Sequence, residues 1–479
     1  MLSLEFIPGW AISLTLALII GLLIGLEQDN PPHAGHRNFS GVSTLPLISM
    51  GGYITLHWWP NQPVFLLGLA VMGLLITAMF VRNSMLSGKT GITQEISILL
   101  CWLLGGLIAT GEWIAPLVIA VVTTLVLGRR TTSANKGNAG TNKNQPGTAA
   151  DDMVTLGKFV LLAMVAYLVL PNQEFTQLNI NPRQIWSMML LVTGIACIGY
   201  FGMRAVQGRA HATGRMPVTT AAKERRYLLL TALFSGLISS TALTLALSRL
   251  SHTRPELSAS IATAIIAAST VMFVRLLLEV AIVQPALLPI TTVLFLPTLI
   301  AGAWLTWRNY SNMSHMTHAA QGGASAVGGR MPETAAAHED NGASANHIQI
   351  PFSNPLDLIT VLQFGALYGL LFALVQLAFN EAGAMGVYAL SLAAGIVSVD
   401  AVTLSMAQLH AGSVGSLPAA VVVLGITLAA AGNLLIKLGM VWGLANRSTA
   451  TPAATGLGVI ITLAAVSVGI ILILAWRAA

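Results

Sequence analysis

Residues 395–410 have the sequence GIVSVDAVTLSMAQLH, an otherwise apolar stretch that carries one acid, Asp400. A similar stretch comes earlier in the chain, at residues 236–251, with the sequence GLISSTALTLALSRLS. When the two stretches are aligned, Thr241 occupies the position of Asp400. Two similar helices interrupted by polar residues suggest a duplicated unit with a shared central site.

The acid inside this apolar stretch has two interpretations. Charging a carboxyl group in the middle of a membrane costs several kcal/mol unless the group is paired or hydrated, so Asp400 is a candidate functional residue. Alternatively, the small Ser and Thr side chains pack at helix crossings and Asp400 has a satisfied structural partner. The sequence leaves both interpretations open.

The composition places the whole chain in a membrane. It has 479 residues, of which 55% are hydrophobic and 8% are charged, whereas a soluble protein carries about a quarter charged residues. We predict an all-α polytopic transmembrane fold in contact with the lipid bilayer, with about 14 spans of roughly 20 residues each. The net charge of +6 then reflects orientation and lipid headgroups rather than binding to nucleic acid.

Two polar segments divide the apolar runs into domains. The segment at 129–152 is rich in Asn, Gly, Thr and Lys, and the segment at 309–352 is poor in apolar residues and is predicted to be disordered. The predicted order is a five-span N-terminal domain at 1–128, a cytoplasmic linker at 129–152, a membrane domain with the first repeat at 153–308, an external linker at 309–352, and the second repeat at 353–479.

Orientation follows from the basic residues, which are enriched on the cytoplasmic side of membrane proteins. The loops on the side opposite the termini carry more than twice as many Lys and Arg residues as the terminus side. We therefore predict a multi-pass protein of the bacterial inner membrane with both termini external.

The duplication extends beyond the two aligned stretches. Asn181-Pro182 opens span seven and Asn354-Pro355 opens span eleven, while Arg275 late in span nine has a counterpart in Lys437 of span thirteen. Spans seven to ten and eleven to fourteen thus form two four-span units. Because four is an even number, the units are predicted to be parallel, related by an axis along the membrane normal.

Asp400 is the residue that we expect to contact a solute or ion, with Arg275 and Lys437 as candidate counter-charges. Asn433 lies four residues before Lys437 and so shares its helix face. Hydroxyl groups that could complete the site belong to Ser239, Thr241, Ser269 and Thr403. In the alternative interpretation, Arg275 simply pairs with Glu279 at i and i+4 within one helix.

This set of residues does not resemble a magnesium cage. Magnesium prefers oxygen ligands and retains several waters, whereas one deep acid beside two basic residues suits a proton-coupled or anionic-headgroup site better. A second possible metal-binding region contains His315-Met316-Thr317-His318 in the external linker, and histidine with methionine can bind copper. Because the stretch has no cysteine and no fixed ligand spacing, a solvated spacer is the favoured interpretation, and the identity of any metal stays unknown.

The N-terminal region has a pair of glycines that can pack against another helix and three charged residues at predicted helix ends. Gly21 and Gly25 form a small-xxx-small face that lets another helix approach closely. Glu27 and Arg37 either pair across the first loop to fix the angle between spans or form an ion-entry gate. Glu95 begins span four, where the helix dipole favours an acid.

These N-terminal residues resemble the membrane domain of the MgtC/SapB family. That pattern has a glycine-rich first helix ending G-L-x-x-G-x-E-R, then A-G-L-R-T, then G-L-T-T. The matching residues are Gly21, Gly25, Glu27, Gly35, Arg37, Gly91 and Thr93, while Gln28 replaces the usual arginine. The rest of the chain resembles an uncharacterised membrane domain often fused behind it. The resemblance implies a link to growth in low magnesium and to bacterial survival inside host cells.

Two functions are consistent with these features. The preferred one is a transporter of an ion or small polar solute, working through the duplicated C-terminal half. The alternative is a regulatory membrane protein that binds a membrane complex through faces such as Gly21/Gly25 and transports nothing. We expect no enzymatic activity and no cofactor, and a homo-oligomer is possible.

Overall fold

The computed structural model describes residues 8–28, 43–59, 62–87, 93–137, 149–175, 180–212, 221–326, 355–356, 358–412 and 417–478, and structural statements below refer to these residues. Their elements are 14 α-helices with two short 3-10 turns and one isolated bridge between Phe175 and Ile180. The predicted all-α class is therefore confirmed. The chain divides into two compact units, Met1–Asn172 and Gln173–Ala479, which are described separately.

The first unit contains six helices. They are α1 (Gly9–Gln28), α2 (Thr44–Trp58), α3 (Gln62–Ser87), α4 (Thr93–Ala109), α5 (Ile114–Gly137) and α6 (Ala149–Val169). Helix α2 packs against both α1 and α4, and α6 packs against α1 and α5. The helix α6 therefore belongs to this unit by its contacts, although the sequence-based boundary at residue 153 divides it.

Glycines let the helices of the first unit approach one another. A Cβ atom on Gly21 would collide with the backbone of Pro46, and one on Gly105 would collide with the backbone of Ser49. The backbones are thus in direct contact, as expected for small residues at membrane helix crossings. Gly25 is also buried in this unit.

Of the three charged residues predicted to matter in the first unit, the structure describes the side chain of Glu95. Glu95 lies in the first turn of α4, where the helix dipole favours an acid, and its Oε2 atom has no hydrogen-bond partner within the described chain. The side chain of Glu27 and the whole of Arg37 lie outside the described residues. Their pairing stays a prediction.

The second unit contains eight helices. They are α7 (Pro182–Ala212), α8 (Ala221–Thr253), α9 (Ser258–Val283), α10 (Leu288–Ala326), α11 (Leu358–Val397), α12 (Val399–Ala411), α13 (Ala419–Leu444) and α14 (Arg447–Ala478). Short 3-10 turns at Pro255–Leu257 and Pro285–Leu287 introduce α9 and α10. Asn181 opens α7, because its Oδ1 accepts hydrogen bonds from the backbone N–H groups of Arg183 and Gln184.

Within the described residues, eight helical segments are long and apolar enough to cross a membrane. They are Gly9–Leu26, Pro182–Val206, Arg225–Thr253, Pro255–Val283, Pro285–Asn312, Ile359–Val397, Ala419–Leu444 and Arg447–Gly469. Shorter apolar helices occur at Pro63–Ala78, Glu95–Ala109, Ile114–Thr124 and Thr155–Val169. The chain is a multi-pass membrane protein with a lipid-facing surface.

Helix α11 reverses direction at Gly383, so it contributes to two of the predicted spans. Gly383 has φ 60° and ψ −148°, a conformation that L-residues with a side chain rarely adopt. A Cβ atom on Gly386 would touch the carbonyl oxygen of Ala378, eight residues earlier. In a straight helix those residues would be about 12 Å apart. Residues 358–382 therefore form the eleventh predicted span, and residues 384–411 form the twelfth.

The second unit has an internal correspondence between α7–α10 and α11–α14. Helix α9 packs against α8 within the first set and against α12 of the second set. Helix α13 packs against α11 within the second set and against α8 of the first set. The two sets thus exchange contacts through equivalent helices, and their interface lies in one apolar core that includes Phe273, Val399 and Ile426.

Helix α10 extends further than the sequence predicted. It continues to Ala326, so the start of the segment predicted to be disordered, residues 309–326, is helical. The side chains of His315 and His318 within this extension, and all of residues 327–354, lie outside the described structure.

Candidate functional site

Two helices of the second unit are interrupted in the same way. In α8 the break falls at Ser239, with φ −161° and ψ 101°. Between α11 and α12 the break falls at Ser398, with φ −155° and ψ 106°. Each serine Oγ accepts a hydrogen bond of 3.2 Å from the backbone N–H three residues later, on Ala242 and Ala401 respectively. Both serines therefore cap the second half of a broken helix.

The aligned glycines have equivalent surroundings as well. A Cβ atom on Gly236 would press on the backbone of Ala268 in α9, and one on Gly395 would collide with the backbone of Ala429 in α13. Both broken helices thus lie against a neighbouring helix with almost no side chain between them. This equivalence supports the duplication that the two stretches predict.

Each break leaves backbone groups without a partner in their own helix. The last carbonyl groups of the first half and the first N–H groups of the second half are no longer bonded across the interruption. Inside a membrane such groups must be satisfied by other protein groups or by a bound ligand. The structure supplies side chains from α9 and α13 at these positions.

Arg275 of α9 connects the two breaks. Its Nη1 atom donates to the carbonyl oxygens of Leu237 and Ile238, both at 3.0 Å, at the end of the first half of α8. Its Nη2 atom lies 3.1 Å from Oδ2 of Asp400 in the first turn of α12. Its Nε atom donates to Oε1 of Glu279 at 3.1 Å. One guanidinium therefore joins a broken helix of the first set to a broken helix of the second.

The two acids differ in exposure. The side chain of Glu279 is completely buried, and that of Asp400 is 19% exposed. Glu279 keeps its second oxygen, Oε2, without a hydrogen-bond partner among the described residues. Asp400 is therefore the acid of this pair that a solute can reach first.

Lys437 of α13 brings a second buried cation to the same region. Its ammonium group donates to the hydroxyl of Ser240 at 2.8 Å and contacts the sulfur of Met272 at 3.3 Å. Both of these partners are uncharged, and the lysine is fully buried. Asp400 lies close enough to attract it electrostatically. Burying an ammonium ion is costly unless it is paired, so Lys437 depends on its acidic neighbour.

Asn433, one helical turn before Lys437, bridges the two breaks a second time. Its Nδ2 atom donates to the carbonyl oxygen of Gly395 at 3.3 Å and to the hydroxyl of Thr241 at 3.4 Å. Its Oδ1 atom is buried without a partner within the described chain. Asn433 thus donates to a carbonyl group beside the second break, as Arg275 does beside the first. Its Oδ1 atom remains available as an acceptor.

We call Arg275, Glu279, Asp400 and Lys437 the charged cluster. The formal charges of its two basic and two acidic side chains cancel when all four are ionised. The cluster lies where α8, α9, α12 and α13 meet, and Leu276, Val402 and Leu434 of these helices are buried in the apolar core. A low-dielectric setting strengthens every electrostatic interaction inside it.

Two predicted hydroxyl groups do not join this network. Ser269 of α9 and Thr403 of α12 are fully buried, and neither hydroxyl has a hydrogen-bond partner among the described residues. They lie on helices of the site, and neither hydroxyl is hydrogen-bonded to Asp400. Their roles as ligands stay predictions.

The structure brings most of the predicted site residues together and adds two that the sequence did not indicate. Arg275, Asp400, Asn433, Lys437, Ser239 and Thr241 are brought together at the two breaks. Glu279 was interpreted only as an intrahelical partner, yet Arg275 binds it and Asp400 at the same time. Ser240 was missed, although it lies beside the predicted Ser239.

These features define a class of membrane protein. The chain is an integral membrane protein whose second unit contains two related sets of helices, each with one broken helix, and a charged cluster where the breaks meet. Discontinuous helices that meet at a buried polar site are a recurring arrangement in secondary transporters.

Comparison with known proteins agrees with the resemblance. Residues 14–135 match the MgtC family, and residues 218–445 match a domain of unknown function, DUF4010. The chain therefore carries an MgtC-family domain followed by this second domain, as predicted. An uncharacterized protein of Aquifex aeolicus (strain VF5) is 29% identical over 216 residues, covering 44% of this chain and 80% of the relative. No solved structure matches significantly.

The DUF4010 match covers the whole of the charged cluster. The range 218–445 contains both helix breaks and all four members of the charged cluster. The site therefore belongs to the DUF4010 domain and lies outside the MgtC match.

Proposed function

We propose that the protein is a transporter of a small polar or ionic solute and that the solute binds at the charged cluster. The observation that carries the proposal is the contact of Arg275 with the break of α8 and with Asp400 beside the break of α12. This places ionisable groups, half-helix ends and unpartnered acceptor atoms together. We further propose that the protein lies in a bacterial inner membrane with both termini external.

The geometry supports transport because a solute would find compensating partners from both sets of helices. A solute donor group would meet Asp400 and the free Oδ1 of Asn433. A solute anionic group would meet the ammonium group of Lys437 and the N-terminal end of the second half of α8. Small shifts of one set against the other would then change access to the site, as in other duplicated transporters.

The family resemblance implies a link to magnesium. We propose this link for the cell as a whole and not as binding of magnesium at the charged cluster. Two basic side chains lie in the cluster, and they would repel a bare divalent cation. The second candidate, a regulatory protein that binds a membrane complex, has support in the first unit, where helix backbones pack through Gly21 and Gly105. Those glycines are already occupied by intramolecular contacts, so transport is the better supported function.

The test is uptake into proteoliposomes of purified protein, screened against a panel of inorganic ions, amino acids, organic acids and sugars. We expect at least one solute to enter with wild type and to lose at least ten-fold in rate with Asp400→Asn. The matched control is Glu256→Gln, which neutralises an exposed acid paired with Arg254 near the end of α8. Equal uptake by wild type and Asp400→Asn for every transported solute would remove Asp400 from the transport site.

A further inference from the structure

The geometry around Arg275 points to a proton shared between Glu279 and Asp400, and we infer that this proton is the coupling ion of transport. The inference rests in part on the proposed function, since coupling requires a transported solute. The shared proton itself does not depend on transport. It follows from how one guanidinium holds two different acids.

The Nε and Nη2 atoms of Arg275 lie on the same edge of the guanidinium group. This edge usually binds both oxygens of one carboxylate, as two parallel N–H···O hydrogen bonds. Here each nitrogen binds an oxygen of a different acid, Glu279 Oε1 at 3.1 Å and Asp400 Oδ2 at 3.1 Å. The two carboxyl groups therefore lie side by side along one edge of the guanidinium group.

Two carboxylates held side by side in a buried site repel each other strongly, and one proton between them removes that repulsion. Carboxyl pairs in contact share one proton for this reason. Glu279 Oε1 and Asp400 Oδ2, which Arg275 holds on one edge, are the two oxygens between which the proton is shared. With one proton, the pair carries a single negative charge that the adjacent Arg275 balances.

The charged groups around Glu279 and Asp400 are consistent with one proton shared between the two acids. Within the described residues, Glu279 interacts with Arg275 and Asp400, and Lys437 of α13 interacts with Asp400. Helix α8 faces the cluster with carbonyl groups and the Ser240 hydroxyl, and α10 and α14, which also pack on α9, add no ion pair to either acid in the described chain. Lys437 has uncharged hydrogen-bond partners within the described chain, so Arg275 is the cation that contacts both acids.

The arrangement also gives the proton a route. Asp400 is partly exposed and Glu279 is fully buried, so a proton that enters at Asp400 can move to Glu279 between the two oxygens that Arg275 holds. When a solute binds Asp400 or displaces it from Arg275, the proton must remain on Glu279 or leave the site. Binding of solute and binding of the proton are thereby linked through one guanidinium.

The test is infrared difference spectroscopy of the full chain in lipid nanodiscs, perfused between neutral and alkaline buffer. We expect wild type to show the carbonyl stretching band of a protonated carboxyl group at neutral pH, and Glu279→Gln and Asp400→Asn each to lose it. The control Glu256→Gln changes an exposed acid outside the cluster and should keep the band. Absence of the band in wild type, or its persistence in both cluster variants, would overturn the inference.

A second readout addresses coupling. A pH-sensitive dye is enclosed in the proteoliposomes, and each solute that enters in the uptake panel is added outside. We expect solute entry to change the internal pH with wild type and not with Glu279→Gln. A transported solute that moves no proton would overturn the coupling while leaving transport intact. If wild type transports no solute of the panel but shows the infrared band, the proposed function is rejected and the shared proton is retained.

Discussion

At the scale of single residues, Arg275 is the side chain on which the site depends. It contacts two acids on two helices and two carbonyl groups of a third, and its side chain is only 6% exposed. A buried cation with four partners cannot be removed without leaving all four uncompensated. Breaking one partner of a buried ion pair costs about 3–5 kcal/mol in soluble proteins.

We therefore expect Arg275→Gln to lower the thermal unfolding midpoint of the protein in detergent strongly. Adding Asp400→Asn to that variant should recover part of the loss, because it removes one of the stranded charges. The matched control is Arg254→Gln, whose exposed pair with Glu256 should contribute about 1 kcal/mol or less. A midpoint for Arg275→Gln no lower than that of Arg254→Gln would contradict the role assigned to Arg275.

The sequence identified Asp400 and its counter-charges because an ionisable residue within an apolar stretch is rare. It could not decide which partner each charge takes. Glu279 lies one turn from Arg275, and the intrahelical pair expected from that spacing does form. The additional reach of the same guanidinium to Asp400 depends on how α9 packs against α12, which no local spacing reveals.

At the scale of helices, the breaks at Ser239 and Ser398 are the features that make the site. Both keep their serine as a cap, and both follow a glycine at the same distance. Small residues allow α8 to approach α9 and α11 to approach α13 until backbones touch. The charged side chains of α9 and α13 can then reach the carbonyl groups that the breaks expose.

Close approach at α13 can be tested with a matched pair of glycines in one helix. A Cβ atom on Gly432 would collide with the backbone carbonyl of Leu392, whereas a Cβ atom on Gly439 would meet nothing within 4 Å. Alanine favours a helix over glycine by about 1 kcal/mol. We expect Gly439→Ala to leave the unfolding midpoint unchanged or to raise it. We expect Gly432→Ala to lower the midpoint, because overpacking typically costs about 1–3 kcal/mol of unfolding free energy.

The measurement for this pair is thermal unfolding in the same detergent, followed by tryptophan fluorescence. Similar midpoints for Gly432→Ala and Gly439→Ala would show that α11 and α13 do not touch through their backbones.

The aligned stretches predicted both breaks in register, since glycine, serine and threonine recur at the same positions. In the sequence, Asn380 and Glu381 interrupt the apolar run between spans eleven and twelve. The structure adds the residue at which the helix turns, because Gly383 has a positive φ.

At the scale of the whole molecule, the chain combines two units with different internal packing. The MgtC match lies in the first unit, which packs through glycines, and the charged cluster lies in the second. Composition was sufficient to predict a helical membrane protein, because so few charged residues cannot cover a water-exposed surface. The assignment of α6 to the first unit was not visible in the sequence, since it depends on contacts with α1 and α5.

The central claim is that the two related sets of helices share one solute site. The most direct measurement is the thermal stabilisation of the intact protein by a solute from the uptake panel, since a bound solute raises the unfolding midpoint. The variants are Ser240→Ala in the first set, Asp400→Asn in the second, and Glu256→Gln as the control. The account predicts that a stabilising solute acts on wild type and on the control and loses its effect in both site variants. Stabilisation that survives in either Ser240→Ala or Asp400→Asn would contradict a site shared between the two sets.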